Sequence, residues 1–207
     1  MHVALAPGES LLPGVARDVD ALFEDRGTAA VVLPLAPVER TRVARAAARL
    51  MRAWDARYQH DQTFFAVGAR VAFRAPPSLR PPPAAPPWTS AAAAPALAFA
   101  LDAGQRVRAL RAPSVATPVA DDLHAWLAWA RAEGAAWGPL ARADPRFARV
   151  APVLSRAAWW RHNVLHAHRR VGEVAQAARR LDPGATFLHV LREAAWTRSA
   201  AAAYARG

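Results

Sequence analysis

The feature of this sequence that comes nearest to a metal or catalytic site is a pair of histidines one helical turn apart, His162 and His166. They lie in the stretch WWRHNVLHAHRR, on a predicted helical face that also carries Glu173. A metal site needs at least a third ligand. Glu173 would lie about 10 Å along the helix from His166, at 1.5 Å per residue. One helix therefore cannot complete the site, and the further ligand would have to come from a distant residue: His60, Asp61, His124 or His189.

The same stretch also has the pattern of a buried helix. Apolar residues recur in alternating steps of four and three, the spacing of a seam that packs against another helix. The members of this seam are Val153, Ala157, Trp160, Val164, Ala167, Val171, Val174 and Ala178. Trp160 is therefore predicted to be a core anchor, with the two histidines on the opposite, solvated face. We predict no metal and no other cofactor, and keep His162 and His166 as the candidates for the alternative.

Arginines at helical spacing are the second chemical feature. Arg42, Arg45, Arg49 and Arg52 form one stripe on a helix predicted to start near Pro37 and to run to about Tyr58. The opposite face carries the apolar residues Val43, Ala47, Leu50, Trp54 and Tyr58. Guanidinium groups bind phosphate in bidentate fashion. These four arginines, with Arg169 and Arg170 near the histidines, are the predicted anion-binding residues.

The charge of the chain points to the same class of partner. Its 207 residues include 27 arginines and no lysine, against 16 acidic residues, for a net charge of +11. Residues 142–207 contain 12 of the arginines and four of the acids. Missing Lys and Ile, with one Asn, indicate a G+C-rich genome, so coding bias explains Arg in place of Lys. It does not explain the excess of cations, which favours an anionic partner.

Several function classes lack their signatures. The sequence contains no HExxH, GxSxG, GxGxxG or GxxxxGK[ST] motif, and the absence of cysteine excludes disulfides and thiolate chemistry. No signal peptide is evident, and the longest weakly apolar run, 91–101, is about half the roughly 20 residues of a membrane span. The sequence thus predicts a soluble intracellular protein, cytoplasmic or, in a eukaryote or virus, nuclear.

One segment is similar to a known family. LFEDRGTAAVVLPLAPVERTRVARAA is similar to the helix–strand–helix opening of Fe(II)/2-oxoglutarate oxygenases. That family holds its metal with a His-x-Asp/Glu pair and a later histidine. Here His60 is followed directly by Asp61 and no His-x-Asp/Glu pair occurs, so the resemblance assigns no residue a role.

For residues 1–112 the sequence predicts about four strands and two helices. The helices cover 15–26 and 37–58, and strands cover 28–33 and 63–74. A Pro/Ala-rich excursion follows at 75–95, with eight prolines. Residues 97–110 predict a hairpin that turns at 102–105.

From Thr117 the pattern is helical. Thr117 is predicted to cap a helix that breaks at 134–138, followed by helices at about 152–181 and 186–205. The predicted core of this half is Trp126, Trp160, Val164, Val171, Leu188 and Trp196. The fold class is therefore α+β: a small, mostly antiparallel sheet with two helices in residues 1–112, then a helical bundle in 117–207, packed together as one unit.

For function, the sequence favours a non-enzymatic binding or assembly protein. Its basic, Arg-rich helical surface would engage an anionic partner, either nucleic acid or an acidic protein surface. One alternative is an enzyme with a histidine-centred, metal-dependent site. A second is a structural subunit that forms oligomers through its helical seams.

Overall fold

The computed structural model describes residues 1–61, 69–75, 85–118, 121–144, 147 and 183–206, with the backbone alone for 52–61 and 183. Six strands and five helices lie in these ranges. The strands are β1 (His2–Val3), β2 (Ser10–Leu11), β3 (Thr28–Pro37), β4 (Ala69–Phe73), β5 (Arg106–Ala109) and β6 (Val115–Thr117). The helices are α1 (Val15–Glu24), α2 (Arg42–Asp61), α3 (Ser90–Asp102), α4 (Leu123–Ala143) and α5 (Pro183–Ala205).

Strand β3 is the centre of the sheet. Its sequence TAAVVLPLAP is apolar almost throughout, as expected of a strand covered on both faces. It pairs antiparallel with β4 on one edge and parallel with β5 and β6 on the other. The outer strands β1 and β2 pair antiparallel with β4 and β6. The fold class is α+β as predicted, and three of the five pairings among the described strands are antiparallel.

A proline explains why β5 and β6 are separate strands. Pro34 lies inside β3 and has no N–H to donate to a neighbour. Beside it the adjacent chain leaves the sheet: the Leu110 N–H donates to the Val32 carbonyl, and the Ser114 N–H donates to the Pro34 carbonyl. Residues 111–113, between these two bonds, lie outside both strands.

Helices α1 and α2 lie close to their predicted positions. In α1 the buried residues Val15, Val19 and Phe23 recur every four residues and face the core. Helix α2 begins later than predicted, because Pro37 ends β3 instead of starting the helix. The hydroxyl of Thr41 accepts the Ala44 N–H at 3.0 Å, which caps the first turn of α2.

The predicted hairpin at 97–110 is wrong. Residues 90–102 form helix α3, whose buried residues Ala91, Ala94, Leu97 and Ala100 recur every three residues. Residues 90–102 are apolar on every side of the helix, so the sequence shows neither the helical nor the strand period clearly. Gly104, with φ of 71°, follows the helix end, and β5 then runs parallel to β3. Helix α3 thus begins inside the segment predicted as a Pro/Ala-rich excursion.

Two predictions for α4 are also corrected. Its cap is Asp122, which accepts the Ala125 N–H at 2.7 Å, whereas Thr117 ends strand β6. The helix does not break at 134–138 but continues through Gly134, Gly138 and Pro139 to Ala143. These glycines are needed for packing and do not mark a helix end.

Helices α4 and α5 pack side by side and parallel. The Trp126 indole donates to the Leu188 carbonyl, and Arg142 donates to the Ala203 carbonyl. The sequence separation between contacting residues is nearly the same at both places, as it must be for parallel helices. A Cβ at position 134 would overlap the Trp196 carbonyl oxygen. The two glycines therefore allow the helix backbones to approach more closely than any larger residue would.

The core includes residues from the sheet and from these helices. Val31 and Leu33 of β3, Leu50 of α2, Trp126 of α4 and Leu188 of α5 belong to one buried cluster. Trp126 and Leu188 were predicted core residues, and Trp196 is partly buried against two smaller clusters. The other predicted core residues, Trp160, Val164 and Val171, lie outside the described residues. Within the described helices, none is long and apolar enough to cross a membrane.

Candidate anion-binding surfaces

The arginine face of α2, defined as Arg42, Arg45 and Arg49, is exposed to solvent. The opposite face of the helix packs into the core through Ala44, Ala47, Leu50 and Met51. The spacing of three and four residues places the arginines on adjacent turns of one side. No acidic residue occurs between Glu39 and Asp55. This face is therefore cationic over its described length.

A second group of arginines surrounds Asp25, just after α1. Arg106 and Arg108, on β5, place guanidinium nitrogens 2.9 Å and 3.7 Å from the same carboxylate oxygen of Asp25. Arg74, just after β4, donates to the backbone carbonyls of Thr28, Phe23 and Asp25 and lies over the Phe23 ring. We call these four residues, Asp25, Arg74, Arg106 and Arg108, the Asp25 cluster.

The carboxylate at the centre of this cluster is held in its charged form. The backbone N–H of Gly27 donates to Asp25 at 3.0 Å and is the largest cause that lowers the pKa of Asp25 below its ordinary value. Partial desolvation opposes the change, and Arg106 and Thr28 lower the pKa further. Asp25 therefore stays ionised at neutral pH and compensates one of the three nearby positive charges.

A buried ion pair joins the N-terminal segment to the sheet. Glu9 and Arg70 meet through two contacts of 2.6 Å and 2.8 Å, and each side chain is 1% exposed. Glu9 also accepts from the Thr117 hydroxyl and the Ala6 N–H. Arg70 lies over the Trp88 ring, with 5.5 Å between its Cζ and the ring centroid. With both groups paired and out of contact with water, this pair has a structural role.

Glu133 of α4 is also buried, and its side chain contacts the first residue of α3. Both of its carboxylate oxygens accept the Ser90 N–H, and the Ser90 hydroxyl donates to it at 2.6 Å. The Trp137 indole donates to that same hydroxyl. Burial raises the pKa of Glu133, while the Ser90 hydrogen bonds and the charges of Arg70 and Arg192 oppose the increase. The arrangement ties α4 to α3.

We expect Glu133 to make stability depend on pH. Its raised pKa means that the folded chain retains a proton that the unfolded chain releases. This contribution to stability is therefore greatest below the ordinary pKa of 4.5 and is lost as pH rises through the folded-state pKa. Glu133→Gln keeps an acceptor for Ser90 but cannot ionise. Its stability relative to the parent should rise with pH in urea unfolding at about pH 4.5, 6 and 8.

The exposed Glu24 of α1 supplies the control for this measurement. Glu24→Gln removes the same charge at an exposed position, and Glu133→Gln should depend on pH more strongly than this control. A pH-independent difference for Glu133→Gln would contradict the prediction.

Of the predicted anion-binding residues, Arg42, Arg45 and Arg49 are described, and all three are exposed on α2. The side chain of Arg52 and all of Arg169, Arg170, His162 and His166 lie outside the described residues. His124 is exposed and His189 is partly buried. Among the described side chains, no three His, Cys, Asp or Glu residues come together as a metal site would require.

The Asp25 cluster was not predicted from the sequence. The sequence pattern predicts Arg106 and Arg108 in a hairpin and Arg74 at the end of a strand, and it gives no link between them and Asp25. Arg106 is 81 residues from Asp25 along the chain, and no local pattern marks such a pairing. The alternation of Arg106 and Arg108 was the available signal, because residues two apart on a strand share a face.

The described residues form an α+β fold with two exposed arginine groups, the arginine face of α2 and the Asp25 cluster, and with the buried charged side chains Glu9, Arg70 and Glu133. Comparisons with family models, with curated proteins and with solved structures gave no match.

Proposed function

We propose that this chain is a non-enzymatic binding protein whose arginine face on α2 engages an anionic partner, with nucleic acid as the favoured partner. The observation that carries the proposal is the exposure of Arg42, Arg45 and Arg49 on one side of a helix that is anchored in the core by its other side. A rigid helix presents the three cations without the need to order a loop.

The position of these arginines supports a role in binding over a role in helix stability. The positive end of the helix dipole lies at the start of α2, where acidic residues stabilise a helix. The first turn of α2 contains no acidic residue and begins with Arg42. Arg42, in this first turn, therefore adds to the positive potential of the helix end. An anion on this face would be attracted by both.

Nucleic acid is favoured by its charge density. Double-stranded DNA carries one negative charge per about 1.7 Å of helix axis. Three arginines within about 11 Å along α2, at 1.5 Å per residue, can contact several phosphates. The net charge of +11 would attract such a polyanion over a longer range.

The test is the salt dependence of binding to a fluorescent 20-base-pair duplex. The triple variant Arg42→Gln, Arg45→Gln, Arg49→Gln should bind about tenfold or more weakly than the parent. The logarithm of the association constant falls as the logarithm of salt concentration rises. The magnitude of this slope should decrease by about 0.9 for each lost phosphate contact. Fluorescence anisotropy at several salt concentrations measures both.

The control changes the same number of charges elsewhere. Arg17, Arg131 and Arg198 are exposed on α1, α4 and α5, and their triple Gln variant should keep most of the affinity. Equal loss in both triple variants would mean that net charge alone drives binding, and would contradict a role for α2. Binding to poly-glutamate but not to the duplex would move the proposal to an acidic protein partner.

Two further classes stay predictions. A histidine-centred metal enzyme should retain metal in stoichiometric amount after purification and lose it on His162→Ala. A structural subunit should elute as an oligomer on sizing and bind neither duplex nor metal.

A further inference from the structure

We propose that the Asp25 cluster is a second phosphate-binding surface, which contacts the backbone of the same nucleic acid. The inference rests on the proposed function for its partner, but on different residues. The guanidinium groups of Arg106 and Arg108 lie beside the Asp25 carboxylate, and that of Arg74 donates to the Asp25 backbone carbonyl. With three cations and one carboxylate, the cluster keeps a net positive charge.

The arginines of the cluster are available to a ligand although they are paired. The side chains of Arg106 and Arg108 are 62% and 50% exposed, and that of Asp25 is 40% exposed. Exposed ion pairs contribute little to stability because water screens them. A phosphate oxygen can therefore replace or join the carboxylate at either guanidinium with little loss of stability.

Arg74 supplies a fixed point in the cluster. It is exposed, yet its guanidinium donates to three backbone carbonyls around the end of α1 and lies against Phe23. A guanidinium held in this way loses little conformational freedom when it binds an anion. Its charge is also not cancelled, since its partners are neutral carbonyl groups.

Arg106 and Arg108 add a surface that faces one direction. They are two residues apart on β5, so their side chains lie on the same side of the sheet. Strand β5 pairs with β3 along one of its edges, and no described strand pairs with its other edge. Two arginine forks on one side match the repeated phosphates of a nucleic-acid strand.

The cluster and the arginine face of α2 lie toward opposite ends of β3. Asp25 precedes the first residue of β3, and Arg42 follows the last one by five residues. Ten residues of extended strand span about 30 Å. The two surfaces are thus separate contacts, and each can be removed without altering the other.

Asp25 makes the test unusually specific, because its removal should strengthen binding. Asp25→Asn keeps an oxygen to accept the Gly27 N–H but removes the negative charge that competes with phosphate. We expect it to bind the 20-base-pair duplex about threefold to tenfold more tightly than the parent. The double variant Arg106→Gln, Arg108→Gln should bind several-fold more weakly, with a smaller salt slope.

Matched controls separate the cluster from net charge. Asp20→Asn changes the same charge at an exposed position of α1, and Arg131→Gln, Arg198→Gln removes two exposed arginines from α4 and α5. Each control should change affinity less than its counterpart in the cluster. Unchanged or weaker binding by Asp25→Asn, or equal effects in controls and cluster variants, would overturn the inference.

The outcomes also distinguish this inference from the proposed function. Loss of binding in the α2 triple variant, with no effect of the cluster variants, would overturn the second surface and leave the α2 proposal intact. The reverse result would support the cluster and contradict the role of α2. Binding of poly-glutamate in place of the duplex would overturn the assignment of a nucleic-acid ligand to the cluster.

Discussion

Arg70→Met is expected to destabilise the folded chain by about 3–5 kcal/mol. The substitution removes the guanidinium that pairs with Glu9 and leaves a carboxylate that is 1% exposed without its counter-ion. Domains are typically stable by about 5–15 kcal/mol in total, so the loss is a large fraction. Urea unfolding followed by tryptophan fluorescence would measure it.

A double variant tests the cause of this loss. Glu9→Gln with Arg70→Met removes both charges and should recover much of the stability, because the penalty comes from the unpaired charge more than from the lost attraction. The exposed Arg17→Met should change stability by about 0.5 kcal/mol or less. Arg70→Met with an effect as small as that of Arg17→Met would contradict a structural role for the buried pair.

The second large effect is expected at the glycines between α4 and α5. Alanine normally stabilises a helix relative to glycine by about 1 kcal/mol. At Gly138, however, a Cβ would lie 2.6 Å from the Tyr204 nitrogen and 2.7 Å from the Ala200 carbonyl oxygen. These are backbone atoms, so the helices must separate. We expect Gly138→Ala and Gly134→Ala each to cost about 3 kcal/mol, or roughly 6–12 °C in Tm.

The added methyl can be tested against a compensating change. Ala203→Gly removes a Cβ that would lie 2.7 Å from the new one at position 138, and should restore part of the stability of Gly138→Ala. Added bulk on the exposed side of α4, as in Ala128→Leu, should have little effect. A Gly138→Ala variant that melts at or above the parent temperature would show that the helices can adjust without cost.

Elements with a clear local period could be predicted from the sequence. Helix α1 shows its buried residues at helical spacing, and the exposed face of α2 follows from Arg42, Arg45 and Arg49 at the same spacing. Helix α3 could not be predicted in this way, because an Ala-rich segment that is apolar on every side has no polar face to define its period.

Features that depend on distant parts of the chain could not be predicted. Gly134 and Gly138 suggest a helix break when the backbone that approaches them is unknown. Glu9 and Arg70 are 61 residues apart, and nothing near either residue indicates its partner. The Asp25 cluster could not be predicted for the same reason, since Arg74 follows β4 and Arg106 and Arg108 lie on β5, and both strands must first pair with β3.

The parallel packing of α4 on α5 has a consequence for synthesis of the chain. Residues in contact across this pair are about 62 positions apart, as Trp126 and Leu188 show. At about 5–20 residues per second, the ribosome needs roughly 3–12 s to add that length. During this interval the side of α4 that carries Gly134 and Gly138 has no α5 to cover it. The nascent chain should therefore be more sensitive to aggregation before α5 has emerged than after it has packed on α4.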